Sequence, residues 1–138
     1  MNQIYVKGGT KDQKMLITHV AQFCINRLLP RHRTLDLNFH LWKGDDYADG
    51  YMWQGDTNRQ YFIQIDKNVT LRQIIRTVCH EMVHVKQYVR GECDVASRKW
   101  KSKTVSATTE YYDLPWEKEA FRLQDELACE YLLTDVDY

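Results

Sequence analysis

Hydrophobic and polar positions follow two different periods along the chain. Over residues 11–29 (KDQKMLITHVAQFCINRLL), Met15, Leu16, Val20, Phe23, Cys24 and Leu28 recur at the spacings of one helix face. Pro30 closes this segment, because the residue before a proline is pushed out of the helical region. From Thr34 to Trp42 the period becomes two. Leu35, Leu37, Phe39 and Leu41 share one face, which predicts a half-buried strand. After a turn at Lys43–Asp46, strands are expected at Tyr51–Gln54 and Arg59–Ile65, joined as a hairpin through Gly55–Asn58.

The helical period then returns in its strongest form. Leu71, Ile74, Ile75, Val78, Met82, Val85 and Val89 make one stripe. Thr70 with Gln73 has the spacing of a capping box, and Gly91 supplies a stop. Residues 92–112, with Arg98, Lys99, Lys101 and Lys103 followed by a Ser/Thr-rich stretch, carry no clear period. Pro115 suits the first turn of a last helix, on which Trp116, Ala120, Leu123, Leu127 and Tyr131 recur. The order is α-β-β-β-α-loop-α, with no linker or repeat, so residues 1–138 are read as a single domain.

Candidate chemistry lies in the middle of the capped helix, where His80-Glu81-Met82-Val83-His84 forms HExxH. Four residues exceed one helical turn slightly, so His80 and His84 project on the same side, opposite the apolar stripe. Two imidazoles so placed can share one Zn²⁺, and Glu81 on their flank can reach a water activated by the metal without binding the metal itself. A catalytic zinc needs a third protein ligand. His19, His32 and His40 all precede the motif and no histidine follows it, which turns attention to downstream glutamates. Glu119, followed by the small Ala120, is the first candidate; Glu117, which first-turn charge and capping also explain, is the second.

Composition narrows the classes. Nineteen Lys and Arg balance nineteen Asp and Glu, for a formal charge of zero, which argues against a protein whose main role is to coat nucleic acid or anionic membrane. No apolar run approaches a membrane span and the opening residues carry no signal-peptide pattern, so a soluble, cytoplasmic protein, monomeric by default, is expected. Cys24, Cys79, Cys93 and Cys129 form no CxxC pair and are expected to be reduced thiols in buried packing.

HExxH on one helix, then a helix opening PWEKEAF, resembles the gluzincin metallopeptidases, in particular the small minigluzincin and SprT-like group often encoded by phages. The resemblance spans roughly residues 59–133 and implies a zincin-like α+β domain: a small mixed sheet, an active-site helix and a downstream glutamate helix. It implies that Glu119-Ala120 matches the Glu-Ala context of the gluzincin third ligand. The chain lacks the C-terminal CxxC ribbon of SprT proper. The expected activity is zinc-dependent endopeptidase action on protein or peptide, with His80, His84 and Glu119 on the metal and Glu81 as general base. By fold analogy, the strand around Tyr61–Ile65 is expected to be an edge that pairs with extended substrate. Tyr111 or Tyr112 is a weaker candidate to stabilise the oxyanion. The alternative is a zinc-binding module that cleaves nothing and serves structure or a partner, a DNA partner being suggested only by the basic cluster.

Overall fold

The computed structural model describes residues 1–136, which form a small mixed α+β domain with three helices and two sheets. Strand β1 (Gln3–Lys7) leads through helix α1 (Lys11–Leu28) into β2 (Asp36–Trp42). Then come β3 (Gly50–Gln54), β4 (Gln60–Asp66) and helix α2 (Leu71–Val89). The main sheet has the order β1-β2-β4-β3; β1, β2 and β4 run parallel, and β3 is antiparallel to β4.

The period-two segments bury the face their sequence marks. Leu37, Phe39 and Leu41 of β2 stand in register with Tyr61, Ile63 and Ile65 of β4, and all six are buried. Each contributes roughly 1.5–3 kcal/mol by leaving water. Against this face pack Ile17, Val20, Ala21 and Cys24 of α1 and Ile74, Val78 and Met82 of α2. Tyr61 keeps its hydroxyl satisfied inside the core by donating to the Asn58 carbonyl at 2.8 Å.

Helices α1 and α2 both open on reciprocal caps. Thr70 Oγ1 accepts from Gln73 N at 3.1 Å and Gln73 Oε1 accepts from Thr70 N at 2.9 Å. Thr10 and Gln13 do the same for α1. Gly91, at φ +68°, takes the left-handed conformation that ends α2. Helix α3 (Pro115–Val136) then returns across α2, antiparallel to it, with Ala120, Leu127 and Ala128 in the core.

Three expectations need correction. The strand Tyr61–Ile65 is not an edge: β2 flanks it on one side and β3, delivered by the tight hairpin, on the other, so its backbone is paired twice. Strand β1 was not expected; its alternation of Ile4 and Val6 is only two apolar residues long, and pairing with β2 makes it a strand. Residues 92–112 hold a three-stranded meander, β5 (Cys93–Asp94), β6 (Lys99–Trp100) and β7 (Lys103–Thr104), followed by a 3₁₀ turn at Tyr111–Asp113. Arg98 of the basic cluster is occupied there, donating to the carbonyls of Val105 at 3.4 Å and Ser106 at 2.7 Å. Of the cysteines, Cys24, Cys79 and Cys93 are buried as expected, with the Cys24 and Cys79 sulfurs 3.8 Å apart between α1 and α2, whereas Cys129 is exposed.

Candidate metal centre

The middle of α2 is buried all round, from Val78 to Gln87, because its apolar stripe faces the sheet and α1 while α3 covers the opposite side. That second contact brings a carboxylate to the histidine pair. His80 Nε2 lies 3.2 Å from His84 Nε2, and Glu117 Oε1 lies 3.1 Å from the first and 3.3 Å from the second. Together these three side chains form a group that can hold a metal ion. A tetrahedral ion with bonds near 2.0–2.1 Å sets neighbouring ligand atoms about 3.3 Å apart, so the triangle has the size such an ion requires.

The far nitrogens of both rings are engaged. His80 Nδ1 lies 2.7 Å from Gln124 Oε1, and His84 Nδ1 lies 2.8 Å from Gln87 Oε1. With those amide oxygens accepting, each ring donates from Nδ1 and turns Nε2 to the centre. Phe121 packs against His80, ring centroids 4.6 Å apart, and limits its rotation.

Burial and charge act strongly here. Burial pushes Glu117 up, but the hydrogen bonds and charges of His80 and His84 outweigh it and hold the carboxyl at about 2. Burial pulls His84 down, yet its hydrogen bond to Glu117 and the charges of Glu81 and Glu117 raise it to about 9. Glu81 is raised above the usual carboxylate range by burial, against the pull of His84 and His80.

Glu119 is not in the triangle. Its Oε1 takes Lys86 Nζ at 2.9 Å and Gln87 Nε2 at 3.2 Å, and the carboxylate that meets the histidines is Glu117, the second candidate. Helical geometry accounts for the exchange. At 100° per residue, with the buried Ala120 as origin, Glu117 falls about 60° to one flank and Glu119 about 100° to the other. Gln124 and Phe121 share the flank of Glu117, and that flank faces His80. A glutamine seven residues after Glu117, on the same flank, was the available signal; alone it did not say which flank faces α2.

A cleft of about 680 Å³ opens onto His80 and Glu81, walled by Tyr51, Tyr111, Phe121 and Gly50 among others. Gly50 is required by close approach: a Cβ there would sit 2.5 Å from Thr77 Cγ2 and 3.6 Å from Glu81 Cγ. The edge strand β3 is thereby pressed against α2 beside Glu81. Tyr111, itself 53% exposed, is held well above its ordinary pKa, first by partial desolvation and then by the charge of Glu117 and a hydrogen bond to it. Tyr112 lines the same cleft but is 70% exposed. Among the described residues no helix is long and apolar enough to cross a membrane. Comparisons with protein-family models, with curated proteins and with solved structures find no match to this chain.

Proposed function

We propose that this chain is a zinc-dependent peptidase of zincin type, hydrolysing peptide bonds in an extended protein or peptide substrate. The observation that carries the reading is the triangle of His80 Nε2, His84 Nε2 and Glu117 Oε1 next to a buried carboxylate, Glu81, at an open cleft. Two imidazoles and one carboxylate are the ligand set of a class of catalytic zinc sites, whereas structural sites usually close with four ligands, mostly cysteine. Zinc, when bound, supplies Lewis acidity, making a water acidic near neutral pH and drawing charge from a carbonyl oxygen.

The remaining work falls to the chain. Glu81, raised by burial and beside the histidines, accepts the proton of the attacking water and delivers it to the leaving amine nitrogen. Gln124 and Gln87 keep the imidazoles in one tautomer throughout. Tyr111, protonated at neutral pH, is a cleft side chain that can donate its one O–H to the developing oxyanion once that O–H leaves Glu117. Strand addition of substrate belongs to the free side of β3 rather than to Tyr61–Ile65, because β3 is the sheet edge on the side of the cleft and Gly50 sets it against Glu81.

Two variants test the reading. Glu81→Gln is expected to keep one equivalent of zinc and to lose hydrolysis of fluorescein-labelled casein by about two to four orders of magnitude. Glu117→Ala is expected to lose both metal and activity. A Glu81→Gln protein as active as the parent removes Glu81 from the mechanism. A parent protein that holds zinc stoichiometrically and cleaves no peptide supports the non-catalytic zinc module instead.

A further inference from the structure

The carboxylate that the sequence nominates as third ligand has a different task. Glu119 Oε1 receives Lys86 Nζ at 2.9 Å and Gln87 Nε2 at 3.2 Å. Lys86 is itself buried and is held from its other side by Glu92, with Nζ 2.8 Å from Glu92 Oε1. Gln87 is fully buried, and its Nε2 also donates to the Trp116 carbonyl at 2.9 Å. An amide nitrogen has two N–H groups. Here both are taken, one by Trp116 and one by Glu119.

That assignment leaves Gln87 only its carbonyl oxygen to offer His84 Nδ1, 2.8 Å away. His84 therefore donates its Nδ1–H, whether the ring is neutral or charged, and presents Nε2 to His80 and Glu117. Without Glu119 one buried amide N–H loses its acceptor, and only the bond to the Trp116 carbonyl is left to hold the amide with its oxygen on His84 Nδ1. A loosened amide holds Nδ1–H less firmly, so that proton exchanges faster and the ring gives up part of its preference for the neutral form that leaves Nε2 free for a metal.

We infer that Glu119 is a positioning residue: anchored by Lys86, it fixes the Gln87 amide and, through it, the orientation and tautomer of His84. Its consequence for metal affinity rests on the proposed zinc site, whereas the order of hydrogen bonds does not. A Glu119 that merely neutralises Lys86 would leave the His84 ring untouched.

Glu119→Met fills the volume but offers no oxygen, and it leaves Lys86 paired with Glu92. Glu119→Gln gives up the charge and keeps an acceptor. In ¹⁵N-labelled metal-free protein, the His84 Nδ1–H proton is expected to exchange with water about tenfold faster in Glu119→Met than in the parent, and within about threefold of the parent in Glu119→Gln. Zinc affinity, by competition with a chromophoric chelator, is expected to fall about tenfold in Glu119→Met and to recover in Glu119→Gln. If Glu119→Met does not fold, Glu119→Asp, one methylene short of Gln87, replaces it with the same expected result.

Unchanged exchange and affinity in the Met variant overturn the inference. So does a loss of zinc as complete as in Glu117→Ala, which makes Glu119 a ligand, or a Glu119→Gln that behaves like Glu119→Met, which makes charge alone the cause. Should the parent protein bind no zinc, the zinc proposal falls by that result, and the proton-exchange readout still decides the role of Glu119.

Discussion

At the scale of single residues, the centre is a balance between burial and hydrogen bonding. In the metal-free protein His84 is raised to about 9, so the ring is charged at neutral pH and paired with Glu117. A folded-state pKa above the unfolded one contributes stability that is complete below about 6.5 and disappears as pH rises through about 9. Glu117 acts in the opposite sense. Held at about 2, it contributes above the usual carboxylate range and loses that contribution as pH falls through about 2. A metal needs the neutral imidazole, so zinc must displace the His84 proton. Calorimetric titration of metal-free protein with zinc at pH about 7, in buffers of different ionisation enthalpy, is expected to show release of about one proton per zinc. A buffer-independent heat would contradict the charged His84.

At the scale of elements, α2 carries the candidate chemistry and owes its place to its ends as much as to its stripe. The Thr70–Gln73 box fixes where the helix begins, and Gly91 fixes where it stops. Between them, one side meets the sheet and the other meets α3, so His80 and His84 are buried without belonging to the apolar stripe. Thr70→Ala is expected to cost about 1 kcal/mol of unfolding free energy in urea titration, with an unchanged slope. A loss below a few tenths would mean that packing alone sets the start of α2. The β3 edge shows the same dependence on neighbours, since Gly50 permits a contact with Thr77 that any side chain would block.

At the scale of the whole molecule, the candidate centre would act as a clamp once an ion is bound. Its three candidate ligands come from α2 and α3, two helices held together elsewhere by the Arg76–Asp125 and Lys86–Glu119 ion pairs and by buried Ala120 and Leu127. An ion that binds only the folded arrangement adds its binding energy to folding. Zinc at a thousandfold excess over its dissociation constant is expected to stabilise the protein by about 4 kcal/mol, read as a rise in Tm that a strong chelator reverses. The same addition to Glu117→Ala should leave Tm where it was; an equal rise there would place the metal elsewhere.

Local pattern by itself determined a good deal. The two caps of α2, the buried faces of β2 and β4, the hairpin between β3 and β4 and the shared side of His80 and His84 all follow from spacing within a few residues. What lay beyond its reach was set by contacts between segments distant in the chain. Strand β1 exists because β2 pairs with it, and β4 is interior because two partners reach it. Above all, the choice of Glu117 over Glu119 depends on how α3 is rotated against α2. Both glutamates lie on flanks of one broad apolar arc, and a helical wheel is silent about which flank a neighbour covers. Packing of Phe121 and Gln124 against His80 goes with that rotation, which sets Glu117 and Gln124 on the histidines and Gln87 on the Trp116 carbonyl.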